Sequence, residues 1–140
     1  LAQPWAAQEL LIGAQARTWT GGPDEEGEVS FNVADLVRQH AAERPSAPCL
    51  TFDGQTIDFR ELDRRSSQVA NALLGAGLGA GSRVAVIAKN SPVFYELVFG
   101  CAKAGVVLVP VNWRLSPREI ADILDDASPR LVLADAEQAA

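Results

Sequence analysis

The chain has 140 residues, 48% of them hydrophobic and 21% charged, with 18 acidic and 12 basic side chains and a formal charge of −6. That length suffices for one domain with a real core, while scattered arginines and only two lysines, Lys89 and Lys103, argue against the basic clusters that grip nucleic-acid phosphates. Two cysteines (Cys49, Cys101) and one histidine (His40) rule out a disulfide framework and a four-ligand zinc site, and no apolar run approaches the roughly 18 residues of a membrane span.

So few cysteines, and no basic-then-apolar leader pattern, are what a cytoplasmic protein is expected to show. The chain starts at Leu1 and lacks methionine, as expected of a trimmed piece of something longer. Residues 1–30 read as a flexible or extension segment, because the stretch 20–28 is rich in glycine and acid. Residues 31–140 read as the folded unit.

The first helix starts at Asn32, whose side chain can cap it with Asp35 three residues on. Phe31 and Leu36 occupy the staple positions. Val33, Leu36, Val37, His40 and Arg44 follow helical spacing until Pro45 stops it. Two strand-like runs follow, 49–52 and 55–58, joined by Asp53-Gly54, a pair suited to a two-residue hairpin turn. Asp58 and Glu61 then form a capping-box pattern with Ile57 and Leu62 as staple. Leu62, Ser66, Val69, Leu73 and Ala76 make the expected buried stripe, and Gly77-Leu78 ends the helix.

Beyond that point short apolar strands alternate with helices. A strand over 84–88 leads to a helix opened by Ser91-Pro92, with Phe94, Leu97, Val98 and Cys101 on one face and Gly105 closing it. A strand over 106–111 leads to the capping box Ser116-Pro117-Arg118-Glu119, stapled by Leu115 and Ile120. Leu131 to Ala134 reads as the last strand. Continuous apolar strands between amphipathic helices require a sheet buried on both faces. The fold expected is therefore α/β: a doubly wound, mostly parallel sheet with flanking helices and a β-hairpin beside it.

Several tempting motifs fail on order or spacing. The glycines of 75–81 follow a helix and precede a strand, the reverse of a dinucleotide fingerprint, and read as a helix stop. Gly100 and Gly105 have Walker spacing, but Val106 stands where the lysine belongs. His40 has no nucleophile near it in sequence, Cys101 reads as a small core hydrophobe, and Asp125-Asp126 reads as a solvated helix end. Two loops remain, because ligands of parallel sheets bind at the C-terminal strand ends. They are Lys89-Asn90-Ser91, leading into a helix N-terminus, and Asn112-Trp113-Arg114, which offers a guanidinium suited to phosphate. The plainer expectation for each is structural: Ser91 as an N-cap, Trp113 packed on helices, and Arg114 paired with a nearby acid.

Four stretches, in this order, resemble the N-terminal portion of adenylate-forming acyl-CoA synthetases: Thr56-Ile57-Asp58-Phe59-Arg60-Glu61-Leu62; Gly81-Ser82-Arg83-Val84-Ala85-Val86 leading to Lys89-Asn90-Ser91; Cys101-Ala102-Lys103-Ala104-Gly105-Val106-Val107-Leu108-Val109-Pro110-Val111-Asn112; and Arg114-Leu115-Ser116-Pro117-Arg118-Glu119-Ile120. The resemblance implies that residues 31–140 are the first αβ subdomain of a larger domain. Its partner would be the remainder of its own polypeptide. The parent would be an ATP-dependent ligase that uses Mg²⁺ and CoA to activate a carboxylic acid, fatty or otherwise hydrophobic. It also implies that Arg114 contacts a phosphate of CoA, since the Asn-x-Arg-Leu form at 112–115 is similar to fatty-acyl and aryl-CoA ligases. The family's Ser/Thr/Gly-rich phosphate loop, ribose-binding acid and late lysine are absent from these 140 residues, so no catalytic residue is expected here. The 140 residues alone are then expected to be inactive, to bind ATP, Mg²⁺ and CoA at most weakly, and to self-associate through any uncovered apolar face. Two alternatives stand beside this: a non-catalytic interaction module of the same fold, and a fragment of a peptide-synthetase adenylation domain.

Overall fold

The computed structural model describes residues 32–135, and the expectations for residues 1–30 and for Phe31 lie outside them. The elements run α1 (Val33–Glu43), β1 (Pro48–Phe52), β2 (Gln55–Asp58), α2 (Phe59–Gly75), β3 (Arg83–Ile87), α3 (Pro92–Ala104), β4 (Val107–Val111), α4 (Pro117–Ala127) and β5 (Leu131–Ala134).

Local chemistry sets most of these boundaries. Asn32 and Asp35 close a full capping box on α1, as Ser116 and Glu119 do on α4. Asp58 caps α2 by accepting from the Glu61 N–H at 2.8 Å. The box is only half formed, however, because the Glu61 carboxylate turns instead to the guanidinium groups of Arg64 and Arg65 at 2.6–2.8 Å. Charge-assisted bonds outbid a neutral backbone N–H. They also hold the Glu61 carboxyl down at about 2. Asp53 and Gly54, both at positive φ, turn β1 antiparallel onto β2 with Phe52 opposite Gln55. At the end of α2 the Leu78 N–H reaches the Leu73 carbonyl and the Gly77 N–H the Leu74 carbonyl, with Gly77 at φ 74°. That is a Schellman ending, and Leu73 and Leu78 are buried in one cluster beside it.

The sheet order is β4-β3-β5, all parallel, with Arg83 opposite Val107 and Val84 opposite Leu131. Alternation along β3 then divides the core. Val84 faces a cluster with Ala70, Leu73, Cys101 and Ala104 of α2 and α3. Ala85 and Ile87 face a second cluster, against which Ile120, Ile123 and Leu124 of α4 pack. Helices cover both faces, as a doubly wound sheet demands. Pro110, without an N–H to donate, lies on β4, which among the described residues is paired on one side only.

Two helix faces differ from the sequence reading. On α1 the buried residues are Ala34 and Val37, while Val33 and Leu36 are exposed. The helix is turned by packing on α2 and α3, where Asn32 also donates its amide to the Ala102 carbonyl at 2.8 Å. On α2 Ala70 takes the buried place expected for Ala76, which falls at the helix stop. The seam between α2 and α3 is tight. A Cβ added at Gly100 would stand 2.5 Å from Val69 Cγ1 and 3.0 Å from the Ser66 carbonyl. Gly100 is therefore a helix-crossing residue and has no part in a phosphate loop. In the same seam Lys103 is 3% exposed. Its ammonium meets Asp63 Oδ1 at 2.6 Å, Ser66 Oγ at 2.8 Å, and Ser67 Oγ and the Asp63 carbonyl at 2.9 Å. Burial pulls its pKa down, and the hydrogen-bonded Asp63 carboxylate opposes that. Among the described residues no helix is long and apolar enough to cross a membrane.

Candidate functional site

Outside the C-terminal ends of β3 and β4 lies a cleft of about 570 Å³, within the size range of small-molecule sites. Its lining includes Lys89 from the loop after β3, Phe94 from the first turn of α3, and Asn112, Trp113 and Arg114 from the loop after β4. Both loops singled out in the sequence thus meet at one opening, because parallel pairing of β3 with β4 sets their C-terminal ends side by side.

The second loop has a fixed shape. Asn112 Oδ1 accepts the Arg114 N–H at 3.0 Å and the Asn112 carbonyl accepts the Leu115 N–H at 3.2 Å. This Asx turn ends β4 and delivers the chain to the cap of α4. Trp113, half-buried, packs against the cluster built on Ala85, Ile87 and Val111. The ring also presents itself to two cations: Lys89 Nζ lies 5.2 Å from its centroid and Arg114 Cζ 5.0 Å. Trp113 therefore packs on strand residues of the second cluster rather than directly on a helix, and it walls the cleft as well.

The plainer expectations for Ser91 and Arg114 need correction. Ser91 does stand at the N-cap of α3, as expected, but its side chain makes no capping bond. No carboxylate among the described residues pairs with Arg114, whose exposed guanidinium rests on the indole ring instead. On the other side of β3, Asp135 ties the strand ends together. Its N–H donates to the Ile87 carbonyl at 3.2 Å and its Oδ2 accepts from the Lys89 N–H at 3.1 Å.

The remaining chemistry-bearing residues lie elsewhere. The His40 ring lies tilted against Phe59 with centroids 4.9 Å apart, and its Nε2 lies 3.2 Å from the Arg44 guanidinium. Cys101 is a core residue whose thiol burial pushes up to about 11, far from a nucleophile's range. Asp125 and Asp126 are exposed on the last turn of α4. No group of three His, Cys, Asp or Glu among the described residues could hold a metal ion. Sequence reasoning missed the pairing of Lys89 with Trp113, since 24 positions separate them and only strand register brings them together.

Comparison with known proteins agrees with this architecture. The family model described as "AMP-binding enzyme" matches residues 37–140. The chain is 46% identical over 98 residues to the fatty acid–[acyl-carrier-protein] ligase ScoC of Streptomyces coeruleorubidus, covering 70% of this chain and 19% of that protein. It is 36% identical over 95 residues to a feruloyl-CoA synthase of an Amycolatopsis species, covering 68% and 19%. A solved structure from Rhodopseudomonas palustris, assigned as a long-chain-fatty-acid CoA ligase, superposes with a TM-score of 0.73 at 36% identity, covering 76% of this chain and 27% of that one. The chain spans about a fifth of the length of the curated relatives it matches. With the match running from α1 through β5, the chain belongs to the AMP-binding, adenylate-forming enzyme family and reproduces the αβ layer of its N-terminal subdomain.

Proposed function

We propose that residues 31–140 are the first αβ subdomain of an ATP-dependent acid–thiol ligase for a hydrophobic carboxylic acid, and that this layer supplies one wall of the entrance for CoA. In the reaction a carboxylate oxygen attacks the α-phosphorus of ATP and pyrophosphate leaves. The thiol sulfur then attacks the acyl carbon and AMP leaves. In this reading none of the described residues takes part in either displacement. The described residues hold no cluster of three metal ligands, and in this reading the magnesium would come with the phosphates of ATP.

The observation that carries the reading is Arg114 at the mouth of the cleft, fixed by its Asx turn and without a carboxylate partner among the described residues. A guanidinium with no carboxylate keeps its full charge for an anion and can bind a phosphate with two N–H groups at once. Its contact with a CoA phosphate is a binding role, with no share in bond making. The likeness to ligases of fatty and aryl acids supports a hydrophobic acid substrate.

The test is pyrophosphate release by the protein expressed from its full reading frame, across carboxylic acids of graded chain length, followed by acyl transfer to CoA. Release with a hydrophobic acid and transfer to CoA is the expected result. No release with any acid, from a folded protein, would overturn the reading. These 140 residues by themselves are expected to release none, and measurable turnover by them would contradict the role assigned to the layer.

A further inference from the structure

We infer that Asn112 is a positioning residue: its side chain sets the direction in which Arg114 leaves the end of β4, and with it the grip on a phosphate of CoA. This rests on the reading of Arg114 given above.

Residues 112–115 alone link β4 to the cap of α4, and both ends of that link are fixed. Val111 is held in the ladder opposite Ile87, and the Ser116 N–H donates to Glu119 Oε2 at 2.8 Å. Between these ends Trp113 and Leu115 pack on the cluster of Ala85, Ile87 and Val111. Arg114 falls between the two, exposed and on the lining of the cleft.

Side-chain packing on either side of Arg114 does not by itself stop the intervening peptide from rotating. Asn112 does. Its Oδ1 accepts the Arg114 N–H at 3.0 Å, and its carbonyl accepts the Leu115 N–H at 3.2 Å. An Asx turn of this kind sets the backbone two residues beyond the side chain that makes it. The arginine arm therefore leaves from a fixed Cα, and its guanidinium comes to rest with Cζ 5.0 Å from the centroid of the Trp113 ring. Bidentate contact with a phosphate depends on direction as much as on charge. Ordering the arm before the ligand arrives also lowers the entropy lost on binding. Asn112 lines the cleft as well, so a direct touch on the acceptor is the rival role that the experiment has to separate.

The experiment measures KM for CoA and for unphosphorylated pantetheine in the full-length enzyme and in its Asn112→Ala, Asn112→Gln and Asn112→Ser variants. Alanine removes the acceptor, glutamine keeps the amide on an arm one methylene too long for the turn, and serine keeps a short acceptor. Asn112 is exposed, so these changes leave the core untouched. Alanine and glutamine are expected to raise KM for CoA about fivefold, the worth of one neutral hydrogen bond. Serine should stay within about twofold of wild type, since a hydroxyl makes the same turn more weakly. KM for pantetheine should not change in any of them. On an Arg114→Ala background, Asn112→Ala should add nothing, because the two residues act through one contact.

A full rise from Asn112→Ala on that background would show that Asn112 touches the acceptor itself and would overturn the inference. Equal rises for CoA and pantetheine would overturn it too, as the mark of a merely structural role. So would a serine variant no better than alanine. An unchanged KM for CoA in the alanine and glutamine variants, while Arg114→Ala raises it, overturns the inference and leaves the phosphate contact standing. If Arg114→Ala also leaves KM for CoA unchanged, the phosphate contact itself is wrong and the inference falls with it.

Discussion

Lys103 and Arg114 carry the same charge and are handled in opposite ways. Lys103, 3% exposed in the α2–α3 seam, has four oxygens within 2.9 Å, more than its three N–H groups can serve singly. Arg114, exposed at the end of β4, has no carboxylate among the described residues and lies on a ring that Lys89 also approaches. A buried ammonium without acceptors would cost far more than the domain's net stability allows, so the seam must satisfy it fully. A solvated guanidinium has no such requirement, and the partner it lacks can come from outside. The contrast separates a cation that serves the fold from one available to a ligand.

The largest effect should come from breaking the seam. Lys103→Met leaves Asp63, Ser66 and Ser67 without their shared donor and should lower stability by about 2–3 kcal/mol. That is less than the roughly 3–5 kcal/mol for halving a buried ion pair, because the Asp63 side chain is 29% exposed and recovers water. Denaturant unfolding of the two proteins measures it. Gly100→Ala should cost about 1–3 kcal/mol by overpacking Val69. Adding Val69→Ala should recover part of that loss, and strict additivity in the double-mutant cycle would mean that the two residues do not clash.

Acid should weaken the first turns of α2 through Glu61. Its carboxyl sits at about 2 in the folded protein against an ordinary 4.5, so between those values the unfolded chain binds more protons. Stability is then present above about pH 4.5 and is lost as pH falls toward 2. Glu61→Gln should flatten that acid limb, and an unaltered limb would show that the Arg64 and Arg65 bonds do not persist in solution. The smallest stability effect belongs to the other cation. Arg114→Ala should change stability by less than about 0.5 kcal/mol, as expected for an exposed residue. A loss as large as that of Lys103→Met would erase the distinction between the two regions.

Much of this was legible in the residues because caps and turns are local. Asn32 with Asp35, Asp53-Gly54, Gly77-Leu78 and Ser116 with Glu119 act within a few positions, and each marks an element boundary where the pattern places it. The strand-end rule likewise found both loops of the cleft. What escaped depends on contacts remote in the chain. The burial of Lys103 against α2, the crossing at Gly100, the turn of α1 onto Ala34, and the meeting of Lys89 with Trp113 all arise from helix packing or strand register. The expected pairing of Arg114 with a nearby acid fails among the described residues, where the Trp113 ring takes the acid's place.

The account stands most directly on the KM of Arg114→Ala in the full-length enzyme, measured with CoA and with pantetheine. It predicts a rise of about tenfold for CoA, the worth of a charge-assisted phosphate contact, and no change for pantetheine. An equal rise for both acceptors, or none for CoA, would contradict it.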